Sequence, residues 1–81
     1  MVDDKIGLTP KQREVYDFIV MYNQAYGVFP SVREIMAGKI QESQIIVSRS
    51  SPASVQRIIT EIENRGWVRR AAARSRALQL L

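Results

Sequence analysis

Apolar residues recur at helical spacing in two long stretches of the chain, and these two stretches set the order of its elements. The better defined runs from Ser50 to Gly66, SSPASVQRIITEIENRG. Val55, Ile58, Ile59 and Ile62 fall on one face at three- and four-residue steps. At roughly 100° per residue the opposite face collects Ala53, Arg57, Thr60 and Asn64, with Ser54, Gln56 and Glu61 on its flanks. Ser50 or Ser51 can cap this helix, because a serine oxygen accepts from the unpaired N–H groups of a first turn. Pro52 suits the first helical position, where its missing N–H is not needed, and Gly66 can take the left-handed conformation that closes the far end.

The other long stretch opens at Thr9-Pro10-Lys11-Gln12, a capping box with proline at the first helical position. The helix is expected to run to about Tyr26 and stop at Gly27. Val15, Phe18, Ile19, Tyr22 and Tyr26 form its inward stripe, with Leu8 stapling the start. Val28-Phe29-Pro30 reads as a turn, and Ser31-Val32-Arg33-Glu34 as a second capping box opening a short second helix. Ile35 and Met36 are expected to face the first helix, and Ile40 to extend the second. Ile45-Ile46-Val47 is β-branched throughout and predicts a short strand. Beyond Gly66, Trp67-Val68-Arg69-Arg70 and Ala77-Leu78-Gln79-Leu80-Leu81 predict two strands joined by Ala71 to Arg76, with Leu78 and Leu80 inward and Gln79 outward. Trp67 is expected partly buried against the first helix. The predicted fold class is mainly α with a small β part: a winged helix-turn-helix of three helices, a C-terminal β-hairpin wing and a short strand between helices two and three.

Length changes this picture little: 81 residues make one domain, 1–81, with one modest core. Composition removes several function classes. There is no cysteine and no histidine, so disulfides and Cys–His or Ser–His catalysis are excluded, and any metal site would depend on oxygen ligands. No clustered acidic spacing or Gly-rich phosphate loop suggests an enzyme, a metal or a cofactor, and none is expected. No small-molecule ligand is implied. No apolar run approaches the roughly 18 residues of a membrane span, and the N-terminal MVDDKIG is unlike a signal peptide. The expectation is a cytoplasmic protein without a membrane partner.

Charge changes the picture more. The net charge of +4 is unevenly placed. Up to residue 48, five cations face six anions. From residue 49 on, Arg49, Arg57, Arg65, Arg69, Arg70, Arg74 and Arg76 face only Glu61 and Glu63, for a net +5. All seven cations are arginine, whose planar fork pairs bidentately with phosphate and with guanine edges. A polarised, arginine-only half points to nucleic acid; a merely solvated basic surface is the alternative.

The order of elements and several motifs resemble the DNA-binding domain of the LexA-type SOS repressors. The resemblance rests on Leu8-Thr9-x-x-Gln12-x-Glu14-Val15-Tyr16-Asp17-Phe18-Ile19 and on Gly27-x-x-Pro30-Ser31-x-x-Glu34-Ile35. It continues through Ser51-Pro52, Arg65-Gly66 and Ser75-Arg76, and so covers nearly the whole chain. Two features depart from the family. The connection from Met36 to Ser50 is several residues longer than the family's short turn. The family's base-reading positions after Ser-Pro usually carry Asn and paired Glu, whereas here they are Ala53, Gln56 and Arg57, so the family's target sequence does not transfer. The family's self-cleaving domain is not expected in these residues, and Ala37-Gly38 matches its cleavage dipeptide by chance.

The resemblance implies sequence-specific binding of double-stranded DNA by a LexA-like transcriptional repressor or regulator, in a prokaryotic or phage-host cytoplasm. Helix 52–65 would lie in the major groove, with Ala53, Ser54, Gln56, Arg57 and Thr60 at base edges. Arg49, Ser51, Arg69, Arg70, Arg74 and Arg76 would hold phosphates, the last four from the wing. A homodimer on a two-fold site is the expected arrangement on DNA. The alternative is a winged-helix protein–protein module of a replication or packaging assembly, for which Ile45-Ile46-Val47 would be the contact.

Overall fold

A computed structural model describes residues 7–70 and 78–80. The first helix, α1 (Pro10–Tyr26), begins at the expected capping box. Thr9 Oγ1 accepts from the Gln12 N–H at 3.3 Å, and Gln12 Oε1 accepts from the Thr9 N–H at 3.1 Å. It ends at Gly27, whose φ of +76° is the left-handed stop. Val15, Phe18, Ile19 and Tyr22 are buried, and Leu8 packs partly buried beside them. Tyr26 departs from the expected inward stripe and is 45% exposed. Its ring leans on Tyr22, centroids 4.5 Å apart, and its hydroxyl accepts from the Gln41 N–H at 2.6 Å. At the overhanging end of a helix a phenol can keep both a ring contact and a bonded hydroxyl.

The second helix, α2 (Val32–Ala37), also carries its capping box, between Ser31 and Glu34. Ile35 is buried in the core and Met36 packs half-buried against it. Two expectations fail after it. Ile40 does not extend the helix, because Gly38 turns left-handed at φ +69° and ends it. Ile40 lies instead in β1 (Lys39–Ile40), which pairs antiparallel with β2 (Ser43–Gln44) in the register Lys39↔Gln44 and Ile40↔Ser43. Gln41 and Glu42 form the turn with φ of 51° and 67°, both positive as a type I′ hairpin requires.

Nor is Ile45-Ile46-Val47 a strand. The Ile45 and Ile46 N–H groups both donate to the Gly38 carbonyl, at 2.8 and 3.2 Å, so the chain folds back over the glycine and has no strand partner among the described residues. Ile46 enters the core, while Ile45 and Val47 stay outside. A Cβ on Gly38 would lie 2.5 Å from the Ile46 carbonyl oxygen, so only glycine fits here. Gln44 fastens the same loop. Its Nε2 donates to the Ala37 carbonyl at 2.8 Å and also lies against the Gly38 and Ile46 carbonyls.

The third helix, α3 (Pro52–Asn64), is capped by Ser51, which decides between the two candidate serines. At its far end Gly66 has φ +86°. The Trp67 N–H donates to the Ile62 carbonyl and the Gly66 N–H to that of Glu63, the pair of bonds that defines a Schellman ending. Val55, Ile58, Ile59 and Ile62 are all buried against α1 and α2. Each such side chain stabilises the fold by about 1.5–3 kcal/mol.

The chain then enters β3 (Val68–Arg70), paired antiparallel with β4 (Leu78–Leu80) in the register Val68↔Leu80, Arg69↔Gln79 and Arg70↔Leu78. Val68 is fully buried; Leu80, opposite it, departs from the expected inward position and is 37% exposed. The expected orientations of Leu78 and Gln79, and the connector with Arg74 and Arg76, lie outside the described residues. Trp67 is half-buried as expected, edge-on to Tyr16 with ring centroids 5.1 Å apart and under the Arg13 guanidinium.

Candidate nucleic-acid interface

Burying one face of α3 fixes what the other face offers. Because Val55, Ile58, Ile59 and Ile62 point into the core, Ala53, Ser54, Gln56 and Arg57 stand exposed on the outside. Arg57 is at the middle of that face and makes no hydrogen bond or ion pair among the described residues. Thr60 is half-buried, and its hydroxyl donates to the Gln56 carbonyl one turn back at 2.9 Å. Its remaining capacity is as an acceptor. Ser51 is exposed, with its oxygen already accepting the Ser54 N–H in the cap.

The arginines divide into two groups. Arg49 is held inside: its guanidinium donates to Glu14 Oε1 at 3.1 Å and to the Val47 carbonyl at 3.3 Å, and its side chain is only 16% exposed. Its N–H also donates to the Met36 carbonyl, so Arg49 ties the loop before α3 to both α1 and α2. Arg65 donates to the carbonyl of Gly7. Arg57 and Arg69, by contrast, are exposed. Arg70 lies on β3, and its side chain, like Arg74 and Arg76, is outside the described residues. The structure thus brings Ala53, Ser54, Gln56 and Arg57 together on one surface, and sets Arg49 apart from it.

One contact had no signal in the sequence. Gln12, expected only as a capping partner, also donates from Nε2 to Glu61 Oε1 at 3.1 Å. The two residues are 49 positions apart, and no periodicity links them.

A helix exposed on one face, seated on two others and followed by a two-stranded antiparallel pair defines the winged helix-turn-helix class. The family described as LexA DNA binding domain matches residues 5–77. This chain belongs to the LexA DNA-binding domain family. It is 39% identical over 74 residues to the LexA repressor of Pelotomaculum thermopropionicum. It is 36% identical over 78 residues to that of Frankia alni, and 33% over 76 residues to that of Koribacter versatilis. Those alignments take in 91%, 96% and 94% of this chain, and 32%, 28% and 32% of the relatives. The chain therefore spans about a third of the length of the curated relatives it matches. The matched family is a binding domain, and no described helix is long and apolar enough to cross a membrane.

Proposed function

We propose that this domain is the sequence-reading part of a LexA-like transcriptional repressor, with α3 in the major groove of duplex DNA and the wing on the backbone. The observation that carries the reading is Arg57. It is exposed and unpaired among the described residues, at the centre of the one face of α3 that the core leaves outside. Its fork matches guanine O6 and N7, and Gln56 beside it matches adenine. Ala53, Ser54 and Thr60 complete the surface that meets base edges. Ser51, Arg69, Arg70, Arg74 and Arg76 hold phosphates, which position the domain and carry most of its salt dependence. Arg49, also expected at a phosphate, has its guanidinium on Glu14 and ties the segment before α3 to α1.

A domain this small grips few phosphates, so two copies on a two-fold site supply the affinity that one cannot. The setting is the cytoplasm of a prokaryote. The family match does not favour the protein–protein alternative, and the apolar triplet on which it rested sends Ile46 into the core. Binding-site selection from random duplexes, followed by Arg57→Ala, tests the reading. The substitution is expected to cost about 1–3 kcal/mol on the selected site and much less on random DNA, relaxing selectivity at one symmetric guanine position. An equal loss on every sequence makes Arg57 a phosphate clamp; no loss anywhere removes α3 from the groove.

A further inference from the structure

Gln12 is the buried polar side chain of the described core, 5% exposed, and its amide does two things at once. The oxygen closes the capping box of α1 by accepting from the Thr9 N–H. The nitrogen donates to Glu61, which lies on α3 one turn beyond Arg57. The other buried residues that α1 and α3 bring to the core are Val15, Phe18, Ile19 and Tyr22 from α1 and Val55, Ile58, Ile59 and Ile62 from α3. Burial of apolar surface is a non-directional drive, whereas a hydrogen bond weakens steeply with angle. A rotation of α3 by about 10° moves an atom at roughly 6 Å radius by about 1 Å. That is enough to take a base contact from good geometry to none.

Given α3 as the groove-reading helix, on which this inference rests, we propose that Gln12 is a positioning residue for sequence recognition. Through Glu61 it fixes the rotation of α3, and so the register in which Arg57 and Gln56 meet base edges. The Arg65 guanidinium on the Gly7 carbonyl holds the same end of α3 to the segment leading into α1. The N-terminus of α1 and the C-terminal turns of α3 are therefore joined by directional bonds.

The test exploits the chemistry of an amide facing a carboxylate. Gln12→Glu keeps the acceptor for Thr9, since a capping box takes Glu as readily as Gln, but sets a second carboxylate against Glu61. In the double variant Gln12→Glu with Glu61→Gln the two groups trade places. The hydrogen bond is rebuilt in the opposite direction, and the net charge equals that of the wild type. The measured quantity is the ratio of affinities for the site-selected duplex and a random duplex at fixed salt and neutral pH, with a thermal melt of each protein.

Gln12→Glu is expected to lower the ratio by about fivefold or more, the lower end of what one base contact is worth. The double variant is expected to restore it to within about twofold, and Glu61→Gln alone, which leaves an acceptor for the Gln12 amide, to preserve it. A purely structural role would lower the melting temperature and leave the ratio of the folded protein unchanged. An unchanged ratio in folded Gln12→Glu, or a double variant that fails to recover, overturns the positioning role. If the melt shows Gln12→Glu to be unfolded, Glu61→Ala takes its place; it removes the partner without burying a charge, and an unchanged ratio there overturns the role equally. A wild type that treats both duplexes alike overturns the reading of α3 itself, and this inference with it.

Discussion

The described residues hold two β-hairpins, and they are built on opposite plans. The hairpin β1–β2 between α2 and α3 turns in two residues, Gln41 and Glu42, and is fastened at every side. Tyr26 takes the Gln41 N–H, Gln44 reaches three carbonyls, and Gly38 lies where no side chain would fit. The wing β3–β4 has seven residues, 71–77, between its strands, two of them arginine. Among the described residues its anchors sit at its base, where Val68 is buried and Trp67 meets Tyr16. The first hairpin uses its polar groups on the protein's own backbone; the second carries Arg69 exposed on β3. A long connection between two packed helices is tolerable when its own bonds hold it in place. A wing serves a polyanion when its charges are not already paired.

This contrast predicts that damage to the two hairpins appears in different measurements. The largest effect is expected from Gly38→Ala. Its φ of +69° and the 2.5 Å approach to Ile46 oppose any side chain, so stability should fall by about 3 kcal/mol or more. In a domain of this size that lowers the melting temperature by roughly 10 °C or more. An unchanged melt would mean that the α2–α3 connection does not pack over Gly38.

The wing should behave in the opposite way. Arg74→Ala with Arg76→Ala is expected to leave the melt almost unchanged, while flattening the dependence of log K on log salt by about one unit for each phosphate no longer neutralised. The weakening should be the same on all duplexes. A slope that stays put while binding persists would remove the wing from the backbone.

The smallest effect is at the tip of the first hairpin. Gln41→Asn with Glu42→Gly supplies the residues that a type I′ turn favours, and is expected to stabilise the fold by about 1 kcal/mol without altering DNA selectivity. Chemical denaturation reads the first quantity and a competition binding assay the second. A loss of stability would show that the side chains at 41 and 42 do more than occupy a turn.

The same two hairpins show where the sequence was legible. Both long helices could be placed from their capping residues, glycine stops and apolar spacing, since each signal is local and the core merely completes it. The first hairpin could not. Its turn has neither Gly nor Asn to announce it, and the β-branched run beside it reads as strand. What decides against a strand is the Gly38 carbonyl, which takes both isoleucine N–H groups and is visible only once the chain has folded. Arginine posed a similar problem. Arg49 and Arg57 look alike in the sequence, but Glu14, 35 residues from Arg49, draws that side chain inward and leaves Arg57 outside. The Gln12–Glu61 pair is the extreme case, because a cap residue gives no local sign of a second partner on another helix.

Trp67 carries a consequence of a different kind. It is the single tryptophan of the chain, and it sits where α3 hands over to the wing, edge-on to Tyr16 and beneath Arg13. The protein thus contains its own optical probe at the junction between helices and wing. Half-burial predicts a blue-shifted emission, and Tyr16, with its ring centroid 5.1 Å away, is close enough to pass excitation to it. Light absorbed on α1 is then reported from the junction with the wing, and a ligand that shifts the wing against α1 changes that signal with no label attached.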